Sequence, residues 1–330
     1  MGTEHSDSSA LAVVTPVASG ALAMFVPALE SANAYAAEAR SENTRKAYGS
    51  DWAAFEAWTG AQGAKALPAS PALVASYLAA LADAGRKPST IGRALVAISQ
   101  AHKLAGHPSP RAGAMVGETM RGIRNSKGCA PVQKAPVVVD VLKAMVATLP
   151  GSLLGLRDRA LLVLGFAGGF RRSELVGLTV ADLTFSDDGI AVRLTRSKTD
   201  QAGEGRMVPI PFGSAKGTCP VRTVRAWLDA AGIVEGRVFR AVDKHGHVAA
   251  ELSGKAVGLV VKRRATAAGL EASRFGGHSL RAGLVTSAAK AGKSEATIAK
   301  TTGHRSVAIL RSYVRNARLF DDAAAEGIGL

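Results

Sequence analysis

Residues that could cleave a phosphodiester follow one another in the second half of the chain. In chain order these candidate catalytic residues are Arg171, Glu174, Lys198, His278, Arg281, His304 and Tyr313. They stand in the segments GFRRSEL, LTRSKTDQ, GGHSLRAG, TTGHRS and ILRSYVR. His278 and Arg281 are three residues apart, so on a helix both side chains would face one ligand. The set predicts a site that holds one phosphate while a phenol attacks it.

Each of these residue types has a chemical reason to be present. A phosphoryl-transfer transition state spreads negative charge over the non-bridging oxygens, so fixed cations accelerate the reaction. Arginine suits this task because its guanidinium binds two oxygens at once and stays protonated. A tyrosine phenol can serve as the nucleophile, and lysine or histidine can protonate the leaving oxygen. Because side chains supply the cations, neither a metal ion nor a cofactor is expected.

Taken one at a time, these residues also fit plainer roles. Arg171 beside Arg172 could be a solvated pair at a helix start, with Glu174 near enough to orient the first of them. Lys198 could be an ordinary surface lysine. Tyr313 could be a core tyrosine, although the chain has only four tyrosines and the other three lie in its first 80 residues. The ordered set, rather than any single residue, carries the catalytic interpretation.

In this order of residues the chain resembles the tyrosine recombinase (phage integrase) family, over roughly residues 41–320. That family carries an Arg, a Lys, a His-x-x-Arg, a His or Trp, and a nucleophilic Tyr. The gaps are 32 residues from Arg281 to Tyr313 and 9 from His304 to Tyr313. With the segment RDRALLVLGFAGGFRRSEL, they are most similar to the Cre recombinase subgroup. That subgroup often has Trp where this chain has His304.

The resemblance implies a site-specific DNA recombinase that works through a 3′-phosphotyrosine, without ATP or metal. Two protomers would bind the inverted-repeat arms of double-stranded DNA, and two such sites would meet in a homotetramer. Two other functions remain open. A type IB topoisomerase uses similar chemistry as a monomer, and a non-catalytic DNA-binding regulator would need no complete catalytic set.

The resemblance also implies a role for each residue. Tyr313 would attack the phosphate, Lys198 would protonate the leaving oxygen and His278 would assist proton transfer. Glu174 would support the arginines. The phosphate itself would be held by Arg171, Arg281 and His304.

The charge of the chain agrees with a DNA partner. Its 41 Lys and Arg outnumber 26 Asp and Glu, for a net charge of +15. Residues 1–40 carry −3, which leaves +18 for the part expected to fold. Such a field favours a polyanion. No apolar run is long enough for a membrane span, and the two cysteines suggest neither a disulfide framework nor a zinc site. These features lead us to expect a cytoplasmic, nucleoid-associated protein, encoded by a bacterium or phage.

The first part of the chain is predicted to be helical after a flexible arm over residues 1–28. Residues 29–124 are predicted to form an all-α, SAM-like domain that binds the DNA core. Its helices are expected at 41–63, 70–85, 87–106 and 111–124. Ser41 or Asn43, Ser70 and Ser89 are the expected N-caps. An aromatic stripe of Tyr48, Trp52, Phe55 and Trp58 should form its core.

A linker is predicted at 125–136, where Pro and Gly interrupt the pattern in NSKGCAPVQKAP. Residues 137–330 are predicted to form the catalytic domain, mixed α/β and mostly helical, with a small antiparallel sheet. Strands at 189–200 and 205–212 would form a hairpin with Lys198 near its tip. Helices are expected at 137–150, 155–169, 219–232 and 252–269, a short extended pair at 238–248, and more helix after His278. The tail after Tyr313 would join protomers.

Basic residues near helix starts and ends are predicted to contact DNA. The helices at Ser89 and Ser253 should present first-turn side chains to base edges. The predicted DNA-binding residues are Arg45, Lys46, Lys87, Arg93, Arg121, Arg124, Lys255 and Lys262. A solvated surface charge is the plainer alternative for each of them.

Overall fold

A computed structural model of the protein describes residues 31, 35, 39–129, 133–195, 205–304 and 310–314. In that part of the chain the fold is mainly α-helical, with one three-stranded antiparallel sheet, which confirms the predicted fold class. The chain divides into two compact units, Met1–Pro131 and Val132–Leu330. The predicted arm at 1–28, Lys198 and the predicted assembly tail lie outside the described residues.

The helical core of the first unit consists of α1 (Glu42–Ala61), α2 (Pro71–Asp83), α3 (Pro88–Leu104) and α4 (Ala114–Lys127). Helix α1 packs on α3, and α2 packs on α4. The predicted aromatic stripe faces this core: Trp52 and Phe55 are buried, and the Phe55 ring lies 5.1 Å from that of Tyr77. Periodic apolar residues therefore bury one face of α1, as an amphipathic helix requires.

The starts of the helices follow their capping residues, with one correction. Ser70 caps α2 as predicted, because its Oγ accepts a hydrogen bond from the Leu73 amide at 3.2 Å. Ser89, however, is not the cap of α3. Lys87 holds that position, because Pro88 takes the first helical position, where its missing N–H costs nothing.

The predicted linker begins too early. Residues 125–127 belong to α4, which ends at Lys127. Nothing in the sequence before Gly128 interrupts the helix, and Gly128 leaves it with φ +70°. The boundary between the two units, after Pro131, falls within the predicted segment.

The second unit is built around a central helix. Its helices are α5 (Val139–Ala147), α6 (Leu153–Ala167), α7 (Arg172–Gly177), α8 (Pro220–Ala231), α9 (Gly254–Ala267), α10 (Ser279–Lys290) and α11 (Glu295–Thr302). Helix α6 carries charged residues in its first half, but its residues 160–164 are apolar and all buried. Helices α5, α8, α9 and α10 pack against it. A helical segment that is apolar all round belongs in the middle of a core.

The small sheet lies beside these helices. Strands β1 (Leu183–Phe185), β2 (Gly189–Leu194) and β3 (Arg206–Pro211) pair antiparallel in that order. The β2–β3 hairpin confirms the two predicted strands where they are described, whereas β1 was not predicted. In the register, Leu194 pairs with Arg206 and Ile190 with Ile210. Alternate residues face the core, so Arg206 points to the same side as Val208 and Ile210.

Two further predictions concern the rest of this unit. The extended pair expected at 238–248 is reduced to a single bridge between Val242 and Val248. Ser253 caps α9 as predicted, with its Oγ accepting from the Ala256 amide at 3.2 Å. None of the described helices is both long enough and apolar enough to cross a lipid bilayer.

Candidate active site

Arg171 and Glu174 are joined at the start of α7. Arg171 is the N-cap residue, and its amide donates to Glu174 Oε2 at 2.8 Å. Its guanidinium Nη1 also donates to Glu174 Oε1 at 2.5 Å. Glu174 itself is 6% exposed. A buried carboxylate needs such partners, and in return it holds the arginine in one orientation.

Arg281 and His278 lie together at the start of α10. His278 is the N-cap residue, and Arg281 lies in the first turn. The Arg281 guanidinium is buried, and its Nη1 donates to Gly169 O at 2.7 Å and to Thr302 O at 2.6 Å. Its Nη2 is buried without a hydrogen-bond partner among the described residues. That nitrogen is a donor left over for a ligand.

The environment of Arg281 is poorer in water than that of a surface arginine. The pKa of Arg281 is lowered to about 10, chiefly by burial and also by the nearby cations Arg171 and Arg206, while Glu174 opposes the shift. With that pKa the group is still a cation at neutral pH. A fixed, partly desolvated cation is what stabilises developing negative charge best.

Three arginines bind three successive carbonyl groups at the end of α11. Arg206 Nη1 donates to Thr301 O at 2.9 Å, Arg281 Nη1 donates to Thr302 O at 2.6 Å, and Arg171 Nη2 donates to Gly303 O at 3.3 Å. The last carbonyls of a helix have no partners within it, and the helix dipole makes this end negative. The helix end therefore offsets part of the repulsion among the three cations.

Two glycines with positive φ shape this contact. Gly303, with φ +66°, ends α11, and a Cβ there would lie 2.4 Å from Arg206 Nη1. Gly169, with φ +57°, supplies a carbonyl to Arg281, and a Cβ there would lie 2.8 Å from Leu284 Cδ2. Any other residue would be strained at both positions and would also collide with its neighbours.

His304 follows Gly303 directly and is held by Thr302. Thr302 Oγ1 lies 2.7 Å from Ile298 O and 2.7 Å from His304 Nδ1, so the hydroxyl joins the imidazole to the end of α11. The pKa of His304 is lowered to about 4, first by burial and then by the nearby cations Arg281, Arg171 and Arg206. The ring is therefore neutral at neutral pH.

Tyr313 lies in a helical segment, 310–314, that packs on α10 and α11. Leu310 is buried against Val285, Ala289 and Ile298, and Tyr313 packs at the edge of this cluster. Arg311 Nε also pairs with Glu295 Oε2 at 3.2 Å. The segment therefore has an apolar anchor and a charged anchor beside the tyrosine.

Five of the predicted catalytic side chains line one pocket. Its volume is about 230 Å³. The lining residues are Arg171, His278, Arg281, Ala282, Val285, His304 and Tyr313. Glu174 stands behind Arg171, and Lys198 lies outside the described residues. A phenol thus faces fixed cations in a pocket large enough for a phosphate group, which suits nucleophilic attack on phosphorus.

Arg206 belongs to this site, but sequence analysis did not select it. The signal was present in GRMVPIP, where strand alternation puts Arg206 on the face of Val208 and Ile210. A charged residue in the apolar register of a strand predicts a buried partner. That partner is Glu174, whose Oε2 lies 3.5 Å from Arg206 Nη2. Among the described residues, no group of His, Cys, Asp and Glu could hold a metal ion.

The predicted DNA-binding residues are all exposed. They are Arg45, Lys46, Lys87, Arg93, Arg121, Arg124, Lys255 and Lys262. Some already have acidic partners: Lys46 pairs with Glu42 at 2.5 Å, and Arg93 Nε pairs with Asp51 Oδ2 at 2.7 Å. Exposure is necessary for binding DNA but is common to most surface charges, so their role stays a prediction.

Comparison with known proteins gives consistent matches over both units. Residues 137–319 match the phage integrase family, and residues 33–107 match the phage integrase N-terminal SAM-like domain. An integrase/recombinase xerD homolog from Selenomonas ruminantium is 38% identical over 292 residues, covering 87% of this chain and 85% of that protein. The tyrosine recombinase XerC of Xanthomonas campestris pv. campestris (strain B100) is 31% identical over 235 residues, covering 70% of this chain and 65% of that protein.

A solved structure has the same fold. A lambda integrase dimer bound to a COC′ core site matches with a TM-score of 0.58 and 18% identity, covering 88% of this chain and 94% of the other. The sequence relatives carry Xer names, so they do not confirm the narrower resemblance to the Cre subgroup. Since the family match covers more than half of the chain, and the Selenomonas relative aligns along most of it, the protein belongs to the phage integrase family and is a tyrosine recombinase.

Proposed function

We propose that this recombinase cleaves and rejoins double-stranded DNA through a covalent bond between Tyr313 and a 3′ phosphate. The observation that carries the proposal is the shared pocket, in which Tyr313 faces Arg171, Arg281 and His304. The basic charge of the chain and the DNA held by the similar lambda integrase support a DNA partner.

In the proposed cleavage, Tyr313 Oη bonds to phosphorus and the bond to the 5′ oxygen breaks. Lys198 protonates the departing 5′ oxygen, and His278 takes the proton of the phenol. The phosphotyrosine keeps the energy of the broken ester, so no ATP is consumed. The 5′ hydroxyl of a partner duplex then attacks the phosphotyrosine and releases Tyr313.

Arg171 and Arg281 hold the phosphate in this proposal, with Glu174 keeping Arg171 in place. His304 has a further feature, because its lowered pKa keeps the ring neutral in the free protein. A bound phosphate favours the cationic ring, because an opposite charge at close range raises the pKa of histidine. DNA binding would therefore charge His304.

The proposed assembly uses both units of the chain. The helical unit binds the DNA core, the segment at 125–136 links it to the catalytic unit, and the tail after Tyr313 joins protomers. Two protomers occupy inverted-repeat arms, and two occupied sites meet as a tetramer, as in the Cre subgroup that the sequence resembles. The basic residues that contact the DNA in this proposal are Arg45, Lys46, Lys87, Arg93, Arg121, Arg124, Lys255 and Lys262.

Covalent trapping tests this function and identifies the DNA target in the same experiment. The purified protein is incubated with nicked genomic DNA fragments, from which the cleaved 5′ end diffuses away. We expect protein–DNA adducts that share one sequence, while Tyr313→Phe binds the same DNA without forming an adduct. Adducts formed by Tyr313→Phe would contradict the nucleophile assignment. Adducts without a common sequence would indicate a topoisomerase, and binding without any adduct would indicate a non-catalytic DNA-binding protein.

A further inference from the structure

Arg206 has no part in the chemistry described above, yet it contacts two of the elements that do. We propose that Arg206 is a positioning residue, which fixes the turn carrying His304 against the Glu174–Arg171 pair. The proposal rests on the proposed function, because DNA cleavage is the activity that this positioning would support.

Two contacts join Arg206 to different elements. Its Nη1 donates to Thr301 O at the end of α11 at 2.9 Å, and its Nη2 lies 3.5 Å from Glu174 Oε2 on α7. The same guanidinium lies close to Gly303, where a Cβ would lie 2.8 Å from Arg206 Cζ. One side chain on β3 thus sets the distance between the carboxylate that orients Arg171 and the residue before His304.

The geometry requires an arginine rather than another cation. A guanidinium has nitrogens that point in different directions from one rigid plane, so it can bind a carbonyl and a carboxylate together. A lysine ammonium is a point charge on a flexible stem and has no flat face to lie against Gly303. Lysine at this position should therefore keep the charge but hold the turn less firmly.

The stability of the fold does not by itself explain an arginine at position 206. Its Nε is buried without a hydrogen-bond partner among the described residues, and its Nη2 meets Glu174 only as an ion pair at 3.5 Å. A buried donor without a hydrogen-bond partner lowers the stability of the folded state, which offsets part of what the other contacts contribute. Replacement by an apolar side chain of similar length should consequently leave stability nearly unchanged, whereas loss of a positioning contact should slow the reaction by up to about 100-fold.

The matched control is Arg193 on the neighbouring strand. It is exposed, and its pairing partner Met207 is the residue after Arg206, so Arg193 lies on the opposite face of the sheet. Like Arg206→Met, Arg193→Met removes one positive charge. The two arginines also lie at nearly the same distance along the chain from the tip of the β2–β3 hairpin. It should not disturb the turn that carries His304.

The experiment is a double-mutant cycle on single-turnover cleavage, using the nicked DNA recovered by covalent trapping. Arg206→Met should bind that DNA as the wild type does and unfold at a similar temperature, but cleave it about 10- to 100-fold more slowly. Arg206→Lys should recover part of the loss, and Arg193→Met should cleave at the wild-type rate. When His304 is already replaced by alanine, adding Arg206→Met should slow cleavage by less than about a further threefold, because the residue that Arg206 positions is absent.

Several results would overturn the proposal. If Arg206→Met slowed cleavage by the same factor with and without His304, Arg206 would not act through the turn that carries His304. An equal loss of binding and cleavage would make it an ordinary phosphate contact. If Arg206→Met does not fold, Arg206→Lys is taken through the same cycle, and the same outcomes decide. A wild-type protein that forms no adduct contradicts the proposed function instead, which keeps the two failures apart.

Discussion

His304 shows how packing changes what a single residue can do. Its ring contacts Thr302, and burial together with the neighbouring arginines lowers its pKa to about 4. An ordinary histidine has a pKa near 6.5. The ring is therefore neutral at physiological pH in the free protein.

The neutral His304 predicts a particular pH dependence of stability. Between about pH 4 and 6.5 the unfolded chain holds a proton on this residue that the folded protein does not, so unfolding free energy rises with pH. The contribution of His304 to the unfolding free energy is fully present above pH 6.5, and it is lost as the pH falls towards 4. His304→Gln should make urea-unfolding free energies rise less steeply across this window.

The control for that measurement is His245→Gln, a change at an exposed turn. It should keep the wild-type slope. Identical slopes for the wild type and His304→Gln would show that the native environment does not depress the pKa of His304.

At the scale of elements, α9 has one face for the core and one for solvent. Val257, Val260 and Val261 are buried, while Lys255, Leu259 and Lys262 lie exposed along the other side. The N-cap Ser253 holds the first turn in place. A helix with a rigid start and a basic, partly apolar outer face suits the major groove of DNA.

Lys255→Ala tests whether α9 reads DNA sequence. If Lys255 contacts a base edge, its loss should weaken binding by about 1–3 kcal/mol and relax the preference at one base pair in each arm. Sequencing of DNA trapped on the variant measures that preference. Lys244→Ala, which removes an exposed lysine from the turn before α9, is the matched control. An unchanged preference would remove Lys255 from the residues that read DNA.

At the scale of the whole molecule, the remaining question is assembly. The chain has two units, a net charge of +15 and a tail with apolar residues among alanines and acids. Those residues are Leu319, Phe320, Ile328 and Leu330, and they lie outside the described residues. A short segment cannot bury such residues by itself, so we expect the tail to bind a groove.

Removal of residues 319–330 should separate DNA binding from assembly. The truncated protein should bind a single arm normally but lose cooperative binding to paired arms and stop recombination. Gel-shift titration with one-arm and two-arm DNA measures this difference. The double change Leu319→Ser and Phe320→Ser, which keeps the chain length, should have the same effect. Cooperative binding and normal recombination by both variants would exclude an assembly role for the tail.

Much of the fold and of the candidate site follows from local features of the sequence. Apolar periodicity predicted the main helices and the β2–β3 hairpin, because each pattern reflects which face of one element is buried. Ser70 and Ser253 marked helix starts because capping is a contact between near neighbours. The catalytic set was recognisable because family chemistry demands certain residue types in one order.

Other features depended on contacts between residues that are distant in sequence. Only the folded chain brings Arg171, Arg206 and Arg281 to three successive carbonyls of α11, since these arginines come from α7, β3 and α10. The low pKa of His304 depends on the same convergence. Burial and charge act through space, whereas a linear pattern records only neighbours along the chain. The sequence by itself therefore determined which residues could do the chemistry, and the tertiary structure decided how they are held and charged.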